Sequence, residues 1–176
     1  MVLRVFKKSL DKSLEILTAV SMAVLVLDVT WQVITRFILK NPSNWTEELA
    51  TFLMIWVGLL GAAVALNRGA HLGIDYFVGK LSKKKRLFTQ LFVYLCTGAF
   101  SISVLLYGGM RLVSITFMQG QLSPALKIPM GYVYLSVPIA GFFIALYSIE
   151  FLIEAAIELK KSANKPDAPY VDVTGS

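Results

Sequence analysis

Residues that support metal, redox or nucleophilic chemistry are scarce in this sequence. Its 176 residues include one histidine, His71, and one cysteine, Cys96. A single histidine cannot form a two-histidine haem or metal site, and a single cysteine cannot form an internal disulfide or a redox pair. The sequence shows no Ser/His/Asp set and no glycine-rich phosphate-binding loop. It therefore predicts no catalytic residue, no cofactor, no metal site and no enzymatic activity.

Charged residues are also few. They make up 16% of the chain, against 56% hydrophobic residues, and the mean hydropathy is +0.67. Soluble domains average about 25% charged residues, so this composition is typical of an integral membrane protein. The net charge of +6 does not indicate a nucleic-acid-binding surface, because the cations gather at the ends of apolar runs, where they act as topology signals.

Four apolar runs are long enough to cross a bilayer as helices, for which about 20 residues suffice. The first run follows a basic segment, but it is too long for a signal peptide and no small-residue cleavage site ends it, so we expect it to be retained. A further segment, 68–81, is too short to span and favours an amphipathic stretch lying in the interface. The predicted spans cover about residues 14–39, 46–66, 87–118 and 131–153.

The basic residues predict the topology. Most of the 17 lysines and arginines fall on the side of the membrane that holds the N-terminus, including the block from Lys83 to Arg86. The positive-inside rule then predicts that both termini are cytoplasmic. We expect an all-α integral membrane protein with one four-helix domain over residues 1–161 and a disordered tail over 162–176.

Three polar residues interrupt the first span at four-residue intervals, namely Asp28, Gln32 and Arg36. Residues with this spacing share one face of a helix. A charge that faces lipid near the bilayer centre costs at least about 2.5–3.5 kcal/mol, so the stripe should face protein. It either packs within the chain's own bundle, with Arg36 reaching the interface, or contacts a partner protein.

The second span begins after a turn. Asn44 is a good N-cap, and Glu47 follows three residues later, as in a capping box. This role accounts for Glu47 better than for Glu48.

The fourth span contains Pro138, which predicts a kink. Glu150, Glu154 and Glu158 then recur every four residues, where like charges repel. We expect them to pair with Lys161 or with the basic block.

These motifs resemble the small membrane subunit of TRAP (tripartite ATP-independent periplasmic) transporters, the DctQ family, and the overall sequence is similar to sialic-acid systems. The first block of the resemblance is Trp45, Glu47, Glu48, Gly61, Ala62, Arg68, Gly69, His71, Leu72 and Asp75, and the second is Ser123, Ile128, Pro129, Tyr132 and Pro138.

The resemblance implies an accessory subunit of a sodium-coupled secondary transporter for organic acids in a bacterial inner membrane. A large multi-span subunit would carry the substrate, and a periplasmic substrate-binding protein would deliver it. The small subunit would act as scaffold, help to dock that protein, and contact membrane lipids. With this resemblance, the charged residues are expected to have three kinds of role. A partner interface or bundle role is expected for Asp28, Gln32, Arg36, Trp45, Glu47 and Glu48, and an outer docking or lipid role for Lys40, Arg111 and Lys127. An inner structural role is expected for Arg68, His71, Asp75, Glu150 and Glu154.

Two other functions compete with this interpretation. A self-sufficient, proton-coupled transporter of the four-span kind would act as a homodimer and would need a carboxylate in the middle of the membrane, for which Asp28 is the candidate. A membrane anchor for a redox enzyme is disfavoured by the single histidine.

Overall fold

The computed structural model describes residues 2–41, 43–68 and 83–163. Its elements are α1 (Val2–Phe37), α2 (Asn44–Asn67), α3 (Lys83–Phe100), a π-helical segment (Ser101–Gly108), α4 (Gly109–Met118), α5 (Met130–Tyr134) and α6 (Ser136–Ala163). The predicted interfacial segment beyond Arg68, with His71 and Asp75, lies outside the described residues, as does the predicted tail from residue 164 onward.

Four helical stretches are long and apolar enough to cross a membrane, which confirms the all-α class and the four predicted spans. The first and last helices extend past their apolar cores, since α1 begins at Val2 and α6 continues to Ala163. Lysine and glutamate, which border both cores, are good helix formers, so the helices continue beyond the apolar residues. The stretches are Lys7–Phe37, Asn44–Asn67, Leu87–Met118 and Met130–Lys160.

The long helices pack in a row, in the order α1, α2, α6 and then the continuous helix formed by α3, the π segment and α4. In the middle of the row, Leu60, Ala63 and Leu66 of α2 pack with Ala140 and Tyr147 of α6. Within the described residues, α1 makes no extensive contact with the α3–α4 helix. The chain therefore forms a layer one helix thick rather than a closed bundle, and its two edge helices leave most of their surface uncovered.

α1 packs mainly on α2 along a polar seam. Its buried residues are seven positions apart: Leu14, Ser21, Asp28 and Thr35. Half-buried residues three or four positions away fill the intervals. This is the heptad spacing of helices that cross at a shallow angle, so a single side of α1 stays against α2 along its length.

The backbones of α6 and of the π-helical segment approach each other closely. The Ser101 hydroxyl is fully buried and donates a hydrogen bond to the Gly141 carbonyl of α6 at 2.6 Å. A Cβ at Gly141 would lie 2.7 Å from Leu105 Cβ and 3.0 Å from the Leu105 backbone. Close approach through small residues is how helices associate in lipid, so Gly141 allows α6 to pack here.

The fourth span is interrupted near Pro138, as the sequence predicts. Proline has no N–H to donate to the carbonyl four residues earlier, and the break between α5 and α6 falls at Leu135. The backbone stays connected across it, because Leu135 N donates to Gly131 O at 3.1 Å and Ile139 N donates to Leu135 O at 3.2 Å.

The space around Gly141 gives a matched test of this packing. We expect Gly141→Ala to lower stability by about 1–3 kcal/mol, the usual cost of overpacking, seen as a lower melting temperature in detergent. Gly58→Ala is the control, because nothing lies within 4 Å of a Cβ there, and it should be neutral or slightly stabilising. Equal melting temperatures for both variants would contradict the close approach.

Candidate functional site

The loop between α4 and α5 forms a compact hairpin, which we call the 119–129 hairpin. Ser123 N donates to Ile128 O and Met130 N donates to Gln121 O, both at 2.9 Å, and Leu122 pairs with Pro129 as an isolated bridge. Lys127 adopts a left-handed conformation, with φ of 57°. The hairpin thus has a fixed shape at one end of the helix row, which we call the hairpin end.

Glu48 holds the tip of this hairpin. Its Oε2 atom accepts hydrogen bonds from the backbone N–H groups of Ala125 and Leu126, at 2.7 and 2.9 Å. Lys127 adds a favourable charge interaction. A carboxylate that accepts two backbone N–H groups makes a strong, charge-assisted contact. The structure therefore gives Glu48 a role inside the chain, in addition to the expected position near the outer loops.

A local signal for this contact exists in the sequence. Ser123 followed by Pro124 is typical of the start of a helical turn, where serine caps and proline occupies the first position. The next N–H groups of such a turn have no intrahelical acceptor and attract an anion. Those N–H groups belong to Ala125 and Leu126, and the anion is Glu48.

The predicted capping box at the start of α2 is wrong by one residue. α2 begins at Asn44 and its N-cap is Ser43. The Thr46 hydroxyl donates to the Ser43 carbonyl at 2.8 Å, and the two hydroxyls lie 2.6 Å apart. The Ser43 side chain makes no hydrogen bond to a backbone N–H of α2, so the contacts at this N-terminus run through the Thr46 hydroxyl instead of a serine or asparagine cap. Glu47 is exposed in the first turn, where it still complements the helix dipole.

The other predicted docking residues are exposed but do not all cluster. Lys40, Trp45 and Lys127 lie at the hairpin end, near the last turn of α1, the first turn of α2 and the hairpin tip. Arg111 lies on α4, two helical turns before its end at Met118. The structure thus places three of these side chains at one end and separates Arg111 from them along its helix.

The polar stripe of α1 changes from buried to exposed along the helix. Asp28 is only 6% exposed and Gln32 is half-buried, whereas Arg36 is exposed in the last turn. A four-residue spacing drifts around a helix by about 40° per step, while the seam follows the heptad, so Thr35 takes the inward position. Asp28 lies within the chain's own packing, and Arg36 is exposed at the helix end, as in the bundle alternative.

The Asp28 carboxylate is nevertheless buried without a hydrogen bond from the described part of the chain. Neither carboxylate oxygen has a hydrogen-bond partner among the described residues. Its neighbours along the seam, Ser21 and Thr35, are polar but buried, and the Thr35 hydroxyl is engaged with the Gln32 carbonyl at 2.9 Å.

At the end of the row opposite the hairpin, three side-chain pairs join α1 to the other helices. Lys7 forms an ion pair with Glu150, and the buried Tyr147 hydroxyl donates to Asp11 at 2.6 Å. These contacts tie the first turns of α1 to α6. We call this end, with its pairs, the clasp end.

The third pair joins Arg68, which caps the end of α2, to Glu15 at 2.9 Å. The predicted partners of the glutamate series are therefore wrong for Glu150, which pairs with Lys7. Glu154 is exposed on α6, and the side chains of Lys161 and of the basic block lie outside the described residues. The signal that sequence reasoning missed is the series Lys7, Asp11 and Glu15, which lies on the side of α1 that continues the seam.

A family model and several known proteins match this sequence. The sequence model of the "Tripartite ATP-independent periplasmic transporters, DctQ component" family matches residues 25–158. The chain is 32% identical over 155 residues to the sialic acid TRAP transporter small permease protein SiaQ of Vibrio cholerae, covering 85% of each protein.

Two further relatives differ in length. The chain is 30% identical over 131 residues to the C4-dicarboxylate TRAP transporter small permease protein DctQ of Rhodobacter capsulatus, covering 74% of this chain and 56% of that protein. It is also 26% identical over 125 residues to the isethionate TRAP transporter permease protein DctMQ of Oleidesulfovibrio alaskensis, covering 68% of this chain and 20% of that protein. In that last case the similar region is one segment of a much longer chain.

The Glu48 contact predicts a local effect on the hairpin. In Glu48→Ala, the amides of Ala125 and Leu126 lose their acceptor, so we expect their hydrogen exchange to accelerate at least tenfold. Glu47→Ala is the matched control, because Glu47 is exposed and does not reach the hairpin. Hydrogen exchange followed by mass spectrometry of hairpin peptides measures both, and equal protection in the two variants would show that the tip does not depend on Glu48.

The unsatisfied carboxyl of Asp28 predicts that its removal increases the stability of the chain. An unpaired buried polar group costs about 1–3 kcal/mol, so Asp28→Leu should raise the melting temperature of the purified chain in detergent. Val29→Leu, at an exposed neighbouring position, provides the control. A marked loss of stability in Asp28→Leu would instead mean that the carboxyl has a partner within the chain.

Proposed function

This chain belongs to the DctQ family of TRAP transporter components, and we propose that it acts as the small, non-transporting scaffold subunit of a sodium-coupled permease that takes up organic acids. Family membership makes it a small permease subunit, part of a transporter rather than an enzyme. The observation that carries the proposal is the match of the family model over residues 25–158, combined with four helices long and apolar enough to span a membrane.

The open row of helices supports association with a large permease subunit. A layer one helix thick leaves apolar surface on both faces and on both edge helices, where a larger membrane protein could pack. The similarity to one segment of the longer DctMQ protein supports the same partner, since there the corresponding region is part of a single polypeptide.

The ends of the row suggest an orientation. Lys7, Lys8, Lys12 and Arg68 lie at the clasp end, and the positive-inside rule favours a cytoplasmic position for such residues. We therefore place both termini in the cytoplasm of a bacterium and the hairpin end in the periplasm. There the fixed hairpin, with Lys127 exposed beside Lys40, Trp45 and Glu47, would face a soluble substrate-binding protein.

The substrate is proposed from the names of relatives. The Vibrio cholerae relative is a sialic acid transporter protein and the Rhodobacter capsulatus relative a C4-dicarboxylate one, so we propose a carboxylate substrate and sialic acid first. Within the described residues, this chain offers no cluster of acidic, histidine or cysteine side chains that could hold a metal ion. The proposal assigns the substrate and sodium sites to the large subunit because the family resemblance implies that division of roles.

Reconstitution tests this function. Liposomes that hold this chain and the large permease subunit of the same genome should accumulate labelled sialic acid when the periplasmic binding protein and an inward sodium gradient are supplied. Omitting this chain should reduce uptake at least tenfold, and labelled succinate measures the C4-dicarboxylate alternative. Transport by this chain alone, without the large subunit, would contradict the scaffold role.

A further inference from the structure

The outer edge of the row carries a line of polar side chains inside a membrane span. Ser103, Tyr107 and Arg111 are all exposed, and Tyr107 is 73% exposed. They belong to the span Leu87–Met118. We call these three residues the edge line.

The edge line points away from the rest of the chain. The residues of the same helix that pack inward are Ser101, Leu105, Gly109 and Val113, which are buried or half-buried. Ser103, Tyr107 and Arg111 come two positions after Ser101, Leu105 and Gly109, respectively. Two residues turn a helix by about 200°. The edge line is therefore opposite the contact with α6.

The π-helical segment keeps the edge line straight. Residues four apart drift by about 40° per step in an α-helix, so two steps would carry Arg111 well away from Ser103. In a π-helix, hydrogen bonds close over five residues instead of four, and each residue turns the chain by less. The step from Ser103 to Tyr107 lies in the π-helical segment Ser101–Gly108, and the step from Tyr107 to Arg111 lies in its junction with α4. The angular drifts of the two steps are therefore opposite in direction, and the three side chains stay in line.

Two members of the edge line have hydrogen-bonding groups without a partner in the part of the chain that the structure describes. The Ser103 hydroxyl donates to the Ala99 carbonyl at 2.6 Å. Among the described residues, by contrast, no carboxylate lies within ion-pairing distance of Arg111 and no acceptor is provided for the Tyr107 hydroxyl. In hydrocarbon, unpaired polar groups of this kind are costly.

The other edge of the row, α1, also exposes polar side chains within its span. The Thr30 hydroxyl donates to the Val26 carbonyl at 2.7 Å, and Arg36 lies in the last turn. The α3–α4 edge differs in placing a tyrosine hydroxyl and an arginine one helical turn apart on the same line. Ser103 lies near the middle of its span, about 12 Å along the helix axis from Arg111. Because the Ser103 hydroxyl is satisfied within its own helix, the preference of the edge line for a protein partner rests on Tyr107 and Arg111.

We propose that the edge line is the surface on which the large permease subunit packs, with Arg111 paired to an aspartate or glutamate on a membrane helix of that subunit and Tyr107 donating to a neighbouring acceptor. Arginine suits such a site because its planar guanidinium binds a carboxylate through two parallel hydrogen bonds. This inference rests on the proposed function and adds which face of the subunit is used.

Site-specific photocrosslinking tests the surface. Tyr107 is replaced by p-benzoylphenylalanine, the chain is co-expressed with the large permease subunit, and membranes are illuminated before purification. The matched probe replaces Leu27 on the opposite edge, which is 69% exposed. We expect the probe at position 107 to link to the large subunit at least fivefold more than the probe at position 27.

The same samples separate failure of the surface from failure of the proposed function. If the large subunit co-purifies with the unmodified chain but position 107 links only to lipid or to a second copy of this chain, the edge line is not the interface. If the large subunit does not co-purify at all, the proposed function fails as well.

A second measurement tests the charge pair without a bulky probe. Arg111→Leu should reduce the co-purified large subunit more than fivefold, whereas Arg111→Lys, which keeps the charge but not the bidentate geometry, should retain an intermediate amount. Met110→Leu, at an adjacent exposed position, is the control and should match the unmodified chain. Undiminished co-purification with Arg111→Leu would overturn the proposed pair.

Discussion

The close approach between α6 and the π-helical segment is the contact on which the row of helices depends. α6 supplies Tyr147 and Ala140 to the core on one side, and on the other its Gly141 lies against the segment. Between apolar helices in lipid, association relies on packing and interhelical hydrogen bonds. The Ser101–Gly141 bond provides both, since it brings the backbones together and satisfies a buried hydroxyl. α6 thereby sets the position of both of its neighbours.

The two ends of the row are fixed by different kinds of contact. At the clasp end, side chains of α1 pair with Glu150 and Tyr147 of α6, a helix that is not its neighbour in the row, and Glu15 of α1 pairs with Arg68 at the end of α2. At the hairpin end, one carboxylate, Glu48, binds backbone N–H groups of a loop. A contact of that kind fixes the shape of the loop and leaves the surrounding charged side chains exposed, which suits a surface that meets a soluble protein.

Hydropathy was enough to predict the four spans, and the motif around Trp45 and Glu48 was enough to predict the family. The order of the helices was not predictable from the sequence. In a membrane protein, lipid-facing and buried positions are both apolar, so their hydropathy does not show which side of a helix packs against another. Pairs such as Lys7 with Glu150 join residues far apart in the sequence, and local spacing favoured nearer cations instead. The residues of the seam follow a heptad, from Leu14 to Thr35, and the four-residue spacing of the polar stripe did not predict it.

The polar residues inside the spans fall into two groups with different consequences. Asp28 lies in the seam between α1 and α2, where it is largely covered by the chain itself. Tyr107 and Arg111 lie on the outermost surface of the row, where the chain has no further helix to offer. A layer that grows by adding one helix beside the next has no physical reason to stop at an edge that still carries unsatisfied donors. In the proposed complex, the large permease subunit packs at the α3–α4 edge. The π-helical segment then has two roles, since it packs against α6 on one side and aligns Tyr107 with Arg111 on the other.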